Sequence, residues 1–328
     1  MEMPRLGVIG TLVWDRIYAR DGWREPVEEW GGIGYALAAL SAARPDEWEI
    51  VPILKVGEDR ADQASAFLQS LPGLDLSLVQ NVPEPNFQVE LRYYDEDRRT
   101  ERLEGGVLPW SWEELEPLLA EIDALYINFI SGLELDLETA LQLRLSFPGP
   151  IYADLHSLFL AIGPEGQRSY RPLERWREWL RCFDIVQMNE DELRWLAHNW
   201  GDPWHFAAEV VGDQLRLLLV TLGPRGAAYV AAPSFEPNPI LWHERGVARP
   251  PTLGTPGTTV SGIVQAEGRE IGDPTGCGDV WGSTFYQHLL AGAELEGALQ
   301  RANEAAARNV RYRGVTGLHD FLQGRIAR

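Results

Sequence analysis

Lysine is almost absent from this chain of 328 residues, in which lysine and arginine together number 29. Lys55 is the only lysine. A phosphate-binding loop of the Walker type needs a Gly-Lys-Ser or Gly-Lys-Thr sequence, and no such tripeptide is present. This class of nucleotide site is therefore excluded, and chemistry through a lysine Schiff base would have to use Lys55.

Cysteine and long apolar segments are also scarce. Cys182 and Cys277 are the only cysteines, which excludes a disulfide framework and a cysteine-rich metal cluster. No apolar run approaches the roughly 20 residues that a membrane helix needs. Residues 1–5 lead directly into a predicted strand, without the apolar segment of a signal peptide. We therefore expect a reduced, cytoplasmic protein without a membrane partner.

Positive charge is in the minority, because 49 acidic residues give a formal net charge of −20. A nucleic-acid duplex is bound through clustered lysines and arginines, and the sequence has no basic stripe. We therefore expect no nucleic-acid partner. A small anionic nucleotide remains compatible with this charge, because local backbone N–H groups and a metal ion act at much shorter range.

The pattern that is present is that of an α/β protein. Continuous apolar runs are typical of strands covered on both faces, and they predict strands over 5–10, 50–56, 124–130, 150–154, 184–188, 215–222 and 226–232. Helical patterns predict helices over 33–43, 59–71, 111–121, 136–145, 172–182, 190–199, 278–291 and 295–312. This alternation indicates a largely parallel sheet. The segment 234–267 gives no clear prediction.

Residues 86–104 follow a different pattern, with apolar and polar side chains alternating at a period of two. This predicts a hairpin with its turn at 95–97, which together with a short strand at 15–19 would form a small separate sheet. An isolated two-stranded ribbon is marginally stable, so this sheet should pack on a substrate, on the main domain or on a partner chain. We expect a lid over about 15–30 and 86–104, and an exposed lid could also support a homodimer.

The most informative segment is 273–279, with the sequence DPTGCGD. Small residues at a turn that opens a helix leave backbone N–H groups free to bind an anion. A carboxylate at this point, Asp279, could take a proton from an attacking hydroxyl, and phosphoryl transfer needs mainly such positioning and charge stabilisation. The alternative is a plain glycine-rich turn in which Asp279 caps the helix.

This segment resembles the C-terminal signature of the ribokinase-like (PfkB) carbohydrate kinases, which usually have Ala where Cys277 stands. Six further segments are similar to motifs of that family and occur in the same order. They are LGVIG at 6–10 with Asp15, GGIG at 31–34, KVGED at 55–59, NEDE at 189–192, TLGPRG at 221–226 and ANEAA at 302–306. The resemblance therefore covers the whole chain, and the segment 273–279 is its most specific part.

The resemblance implies a single ribokinase-like domain over 1–328, a three-layer sandwich with a mostly parallel central sheet and a small β-sheet lid. It implies an ATP-dependent kinase that phosphorylates a hydroxyl of a small sugar or polyol. Asp279 would be the general base, and the backbone amides of Gly276, Cys277 and Gly278 would form the anion hole. The residues expected to bind the substrate are Asp15, Gly31, Gly32 and Asn128.

The resemblance also implies a nucleotide site and cation sites. The residues expected to contact ATP are Asn189, Thr221, Gly223, Gly226 and Asn303. Glu192 would hold Mg²⁺ through water, since magnesium usually keeps several waters, although a solvated helix face is its alternative. Asp273 and Thr275 stand where some family members bind a monovalent cation, which suggests K⁺ as a further cofactor.

The sequence departs from the family where the acceptor would bind. Sugar-specific members commonly have Asn where this chain has Ala36, preceded here by Tyr35, so we expect an acceptor other than plain ribose. His156 is more often a core or rim histidine than a catalytic one, and Asn128, Arg98 or Arg99 could contact the substrate instead. The acceptor, the hydroxyl phosphorylated and the oligomeric state remain open.

Two other functions remain as alternatives. One is a nucleoside or cyclitol kinase on the same fold. The other, from a different class, is an inactive sensor of nucleotide or sugar, which the presence of Asp279 disfavours because binding alone needs no base. A nicotinamide dehydrogenase is disfavoured, since GIG at 32–34 lacks the third glycine of its fingerprint.

Overall fold

The computed structural model describes residues 3–18, 26–43, 48–93, 99–212, 214–233, 235–239, 241–242, 259–268 and 270–327. The predicted hairpin turn at 95–97, Arg98 and the greater part of 234–258 lie outside these residues, as does the side chain of Arg99. No described helix is long and apolar enough to span a membrane.

Nine strands of the described part of the chain form the central sheet. In chain order they are β1 (Arg5–Ile9), β4 (Glu49–Gly57), β5 (Val79–Val82), β8 (Ala124–Asn128), β9 (Ile151–Asp154), β12 (Ile185–Asn189), β13 (Leu217–Thr221), β14 (Ala227–Ala231) and β15 (Val260–Val264). Their order across the sheet is β15-β14-β13-β12-β9-β8-β1-β4-β5. All neighbours pair in parallel except β14, which is antiparallel to both β13 and β15. The prediction of a mostly parallel sheet is confirmed.

Helices cover both faces of this sheet. They are α1 (Ile33–Ala43), α2 (Ala61–Gln69), α3 (Trp112–Leu115), α4 (Leu137–Ser146), α5 (Trp176–Arg181), α6 (Glu190–Leu196), α7 (Pro203–Val210), α8 (Cys277–Leu290), α9 (Leu295–Val310) and α10 (Leu318–Leu322). One apolar core includes residues of α1, α2, α8, α9 and α10, and a second core includes residues of α3 to α7. The strands supply both cores through alternate side chains, which explains their continuous apolar sequences.

The small separate sheet has four strands within the described residues, in the order β3-β2-β6-β7. These are β2 (Leu12–Tyr18), β3 (Val27–Gly32), β6 (Gln88–Tyr93) and β7 (Arg99–Glu104). The face towards the main domain is apolar and includes Val13, Val89 and Leu103. The opposite face carries ion pairs within the chain, such as Arg16 with Glu28. The alternation of apolar and polar residues along these strands therefore gives the sheet one covered face and one solvated face.

Several elements differ from the sequence predictions. The predicted helix at 111–121 is the short helix α3, capped by Ser111 as expected, followed by a 3₁₀ turn at Glu116–Leu119. The segment 234–267 contains the edge strand β15. A two-stranded hairpin, β10 (Leu160–Ile162) with β11 (Arg168–Tyr170), was not predicted, because strands of three residues give too short a pattern.

Polar residues end four neighbouring parallel strands at the same edge of the sheet. Asn128 ends β8, Asp154 ends β9, Asn189 ends β12 and Thr221 ends β13. In the strand register Asn128 is opposite Asp154, and Asn189 is opposite Thr221. Ligands of open α/β sheets bind outside the carboxyl ends of the strands, so this edge is where a site is expected.

Candidate active site

A cleft of about 570 Å³ lies between this edge, the small sheet and the start of α8. Most of the residues predicted to form the site are among its walls. They are Asp15, Gly32, Asn189, Glu192, Thr221, Thr275, Gly276, Cys277, Gly278 and Asp279. Ligand sites of small molecules are typically concave and of this size, so the cleft is the candidate active site.

The loop that opens α8 is fixed by close packing. Gly276 has φ of 74°, and a Cβ there would lie 2.2 Å from the ring of Tyr35. The N–H groups of Gly276 and Gly278 have no acceptor among the described residues, whereas the N–H of Cys277 donates to Pro274 O at 3.1 Å. In this arrangement the predicted anion hole has two available donors, and the Cys277 amide is occupied within the turn.

The thiol of Cys277 helps to hold this loop against α9. Its Sγ is 3.3 Å from Asn309 Nδ2, and the same amide nitrogen donates to Thr275 O at 2.9 Å. Burial raises the pKa of Cys277 to about 11, so the thiol is protonated at neutral pH. A thiol in place of the smaller alanine therefore adds contacts to α9 without adding charge.

Asp279 lies in the first turn of α8, and the amide of Asn128 holds it from the sheet edge. Asn128 Nδ2 donates to Asp279 Oδ1 at 2.7 Å. Burial raises the pKa of Asp279 to about 6, an increase that the Asn128 hydrogen bond and the nearby His156 limit. The carboxylate is then mostly ionised at neutral pH and has a pKa suited to accepting a proton.

We predicted that Asn128 contacts the substrate. In the structure Asn128 is fully buried and is not among the cleft walls, and its side chain contacts Asp279.

Asp154 and Gln187 form the floor of the cleft beneath α8. Gln187 Nε2 donates to Asp154 Oδ2 at 2.7 Å and to Gly278 O at 3.1 Å, which joins the floor to the α8 loop. Burial, with a contribution from Glu192, raises the pKa of Asp154 to about 8. This carboxyl is therefore largely neutral at neutral pH.

Asn189 and Glu192 begin α6 and satisfy each other in a capping box. Glu192 Oε2 accepts from Asn189 N at 2.8 Å, and Oε1 accepts from Asn189 Nδ2 at 2.7 Å. Glu192 Oε1 also lies 2.6 Å from His156 Nδ1. Burial lowers the pKa of His156, but the charge and hydrogen bond of Glu192 outweigh it and raise the pKa to about 9. The imidazole of His156 is therefore largely protonated at neutral pH.

These contacts leave Glu192 poorly suited to hold Mg²⁺. Both of its oxygens are used within the protein and its side chain is only 1% exposed. The described residues contain no group of three or more His, Cys, Asp or Glu side chains that could hold a metal. The predicted magnesium contact does not fit this arrangement.

The small sheet supplies the opposite wall of the cleft. Asp15 is buried there, and a Cβ on Gly31 would lie 1.9 Å from Asp15 Oδ2, so Gly31 makes room for that carboxylate. Glu101 of β7 lies on the same face of this sheet and accepts from Arg168 Nη1 at 2.7 Å. Arg168 Nη2 donates to Ser131 O at 2.8 Å. This pair joins the small sheet to the main domain.

Several predicted residues lie away from the cleft walls. Asn303 accepts from Trp281 Nε1 and donates to Val264 O, so both ends of its amide are used in packing α9 against α8 and β15. Gly226 has φ of 96°, and a Cβ there would lie 2.1 Å from Val264 O. The close approach of β15 therefore explains why a residue without a side chain stands at this position. Gly223 has open space around its Cα.

Asp273 is also outside the cleft walls, at the predicted monovalent-cation position. Its Oδ1 accepts from Thr275 N at 3.0 Å and from Thr275 Oγ1 at 2.6 Å. Arg313 Nε lies 3.9 Å from Asp273 Oδ2. A positive charge of the protein itself therefore lies beside this carboxylate.

Sequence reasoning missed Arg168, Glu101, Asp154 and Gln187 as cleft residues. Glu101 could have been predicted from the hairpin register, because it lies opposite Leu91 and is an acidic residue on the otherwise apolar face of the hairpin. Arg168 had none, because β11 carries it to the cleft from outside every motif.

The sequence profile described as pfkB family carbohydrate kinase matches residues 49–320. The ribokinase of Thermotoga maritima is 16% identical, with a TM-score of 0.67 over 98% of this chain and 99% of its own. The nucleoside kinase of Burkholderia thailandensis, solved in complex with inosine, is 14% identical, with a TM-score of 0.68 over 98% of this chain and 97% of its own.

A pyrophosphate-dependent kinase in the ribokinase family, solved with a pyrophosphate analog and myo-inositol, is 16% identical. Its TM-score is 0.66 over 94% of this chain and 96% of its own. No curated protein sequence matches the chain. At these identities the solved structures establish the fold, which confirms the predicted ribokinase-like architecture, while the profile covers most of the chain. The chain is a member of the pfkB family of carbohydrate kinases.

Proposed function

We propose that the protein transfers the γ-phosphoryl group of ATP to a hydroxyl of a small, neutral polyhydroxy acceptor, with Asp279 as the general base. The observation that carries this proposal is the position of Asp279 in the cleft, beside the N–H groups of Gly276 and Gly278, which have no acceptor among the described residues. The hydroxyl proton passes to Asp279 as the new oxygen–phosphorus bond forms. The bond between the β–γ bridging oxygen and the γ-phosphorus breaks, and ADP leaves.

The charges around the cleft favour a neutral acceptor over a sugar acid. Asp15 and Glu101 are carboxylates on the lid side, where they can accept hydrogen bonds from hydroxyls. The guanidinium of Arg168 already forms an ion pair with Glu101, which offsets its attraction for an anionic acceptor. Val89 and Leu91 add an apolar wall that can cover a ring face.

The position of Ala36 also bears on the acceptor. Ala36 is fully buried in α1, and Tyr35 is the residue of this helix that reaches the cleft, where it packs on Gly276. The polar contact that Asn makes in sugar-specific members is therefore absent from α1. We maintain the proposal of an acceptor other than plain ribose.

The small sheet acts in this proposal as a lid. Its apolar face and Asp15 line the cleft, so they would cover the acceptor and exclude water during transfer. Dimerisation through the lid stays a prediction, to be tested by light scattering. Among the described residues, three ion pairs make the solvated face of the lid polar, which does not favour this dimer.

The test is ADP release over a panel of pentoses, hexoses, inositols, nucleosides and sugar acids, with Asp279→Asn as the control. Acceptor-dependent ADP release that the variant lacks supports the proposal, and the best acceptor defines the substrate class. A nucleoside or an inositol as the best acceptor would establish the alternative kinases. Nucleotide binding without turnover on any acceptor would establish the sensor and refute the kinase.

Two further arms of the assay concern the donor and cations. Pyrophosphate replaces ATP in one arm, and transfer from pyrophosphate alone would refute ATP as donor. In the other arm K⁺ replaces Na⁺. Because Arg313 already lies beside Asp273, we expect K⁺ to activate weakly, by less than about threefold, which corresponds to less than about 1 kcal/mol.

A further inference from the structure

His156 is a basic residue of the cleft to which no function has been assigned above. It follows β9, and its backbone N–H donates to Asp154 Oδ1 at 3.1 Å. Its Nδ1 lies 2.6 Å from Glu192 Oε1, whereas its Nε2 has no hydrogen-bond partner among the described residues. The His156 side chain is 43% exposed and Glu192 is 1% exposed. One edge of the ring is therefore fixed and the other edge is open.

Glu192 has a cationic partner at this position. A buried carboxylate is costly unless a positive charge or several donors satisfy it. The two nearby arginines of this region, Arg194 and Arg225, pair with Glu190 instead. The positively charged partner that Glu192 has among the described residues is His156, so the ion pair fixes the orientation of the imidazole ring.

His156 lines the same cleft as the residues predicted to contact the donor phosphates. His156 shares the cleft wall with Asn189, Thr221, Gly278 and Asp279. Among the described cleft residues only His156 and Arg168 are basic, and Arg168 is paired with Glu101. The acidic groups that act on His156 are Glu192, Asp154 and Glu101, with Asp279 coupled to it from α8.

We propose that His156 contacts the phosphate chain of the donor through Nε2–H, and that Glu192 is a positioning residue for His156 rather than a ligand of magnesium. This inference rests on the proposed function, because it assumes a phosphoryl donor in the cleft. A charge-assisted hydrogen bond to phosphate is shorter and stronger than a neutral one. Glu192 supplies the second contact that orients the ring, as carboxylates do for histidines in many sites.

The test measures binding of ADP and of inorganic pyrophosphate by calorimetry, with and without Mg²⁺ and without acceptor. His156→Asn keeps a group that can donate to Glu192 but removes Nε2, and it should weaken both ligands about tenfold or more, even without Mg²⁺. His156→Arg keeps a cation and should recover part of this loss. His205→Asn is the matched control, because His205 is an exposed histidine on α7 and is not a cleft residue.

Glu192→Gln separates the two roles of the carboxylate. If Glu192 positions His156, this variant weakens ADP without Mg²⁺, and the Mg²⁺ concentration that half-saturates activity stays unchanged. The double variant with His156→Asn should bind ADP no more weakly than His156→Asn alone, and it avoids leaving a buried carboxylate unpaired if the single variant folds poorly. Thermal unfolding checks that each variant is folded.

Each outcome decides between the proposals. Unchanged ADP binding in His156→Asn, or a Glu192→Gln effect seen only as a higher requirement for Mg²⁺, would overturn the inference. A wild-type protein that binds neither ADP nor pyrophosphate would overturn the proposed function and this inference together. Wild-type binding and turnover with insensitive variants would overturn the inference alone.

Discussion

The hydrogen bond from Asn128 to Asp279 should set the pH at which the protein becomes active. Replacing Asn128 by Leu keeps the branched shape of this fully buried side chain and removes the donor 2.7 Å from Asp279 Oδ1. Hydrogen bonds to charged groups contribute about 1.5–3 kcal/mol, and one pKa unit corresponds to about 1.36 kcal/mol. The pKa of Asp279, about 6 in the wild type, should therefore rise by about one to two units.

The direction of this change fixes the expected rates. A base is active when it is deprotonated, so kcat/KM for the acceptor should rise with pH through the pKa of Asp279. At pH 7 the ionised fraction falls from about nine tenths to between about one half and one tenth. The Asn128→Leu variant should therefore lose about two- to tenfold in kcat/KM at pH 7 and recover most of it at pH 9.

The assay is kcat/KM for the acceptor from pH 5 to 9 at saturating ATP, which reports the base in the enzyme before the acceptor binds. Titration of the nucleotide itself is common to all variants, so the difference between profiles isolates Asp279. Tyr126→Phe is the matched control, because it removes only the longer contact of the same amide, in which Asn128 Nδ2 donates to the Tyr126 hydroxyl at 3.4 Å. An unshifted profile in Asn128→Leu, with the same loss at every pH, would refute the reasoning.

Three further predictions concern the base, the loop and the lid. Asp279→Asn should abolish transfer while ADP still binds, and near wild-type kcat would exclude it as the base. Burial raises the pKa of Asp279 to about 6 in the folded protein, above its value in the unfolded chain. As the pH rises from about 4 to about 6, ionisation of this buried carboxyl therefore lowers the free energy of unfolding by up to about 3 kcal/mol. The variant should thus have a higher Tm than the wild type at pH 8 but not near pH 4, and an equal difference at both would contradict this. Gly276→Ala should lower kcat, because the added Cβ would lie 2.2 Å from an aromatic ring. Gly268→Ala is its control, because Gly268 has a similar φ of 81° and nothing within 4 Å of the added Cβ, and it should retain the wild-type kcat. Equal losses of kcat in both variants would mean that backbone strain alone causes the loss. Leu91→Ala should raise the acceptor KM far more than the ATP KM, and Glu90→Ala on the opposite face should change neither; parallel effects on both substrates would indicate a structural role.

The elements that the sequence predicted well are those in which one local pattern decides the structure. The strand predicted over 124–130 is Ala124–Asn128, because a strand covered on both faces is apolar throughout. The helix predicted over 33–43 matches α1. The missed helix Pro203–Val210 had a signal, since Asp202 caps it and proline stands at its first position. The hairpin Leu160–Ile162 with Arg168–Tyr170 had none, because its strands are too short.

The candidate site was predictable in its motif and not in its contacts. The residues of 276–279, which line the cleft, could be proposed from sequence because a glycine turn before a helix creates anion donors by local geometry. The amide of Asn128 turned towards Asp279, and the pairing of Glu192 with His156, depend on which strand ends become neighbours. These two pairs are separated by 151 and 36 residues in the sequence. Helix and strand periodicity relates only residues that are near one another in sequence, so it could not predict these contacts.

The cleft gathers five acidic residues in a protein of net charge −20 and must still admit a polyphosphate. Three of these acids lose most of their effective charge. Glu192 pairs with His156, Glu101 pairs with Arg168, and the pKa of Asp154 near 8 keeps it largely protonated at neutral pH.

This neutralisation also determines which acid is suited to the proposed role of general base. Burial raises the pKa of both Asp154 and Asp279, but Glu192 raises that of Asp154 further, while Asn128 and His156 hold that of Asp279 down to about 6. Two carboxyls at one end of the sheet therefore differ by about two pKa units. The difference leaves Asp154 as a hydrogen-bonded floor and Asp279 as the carboxylate able to accept a proton at neutral pH.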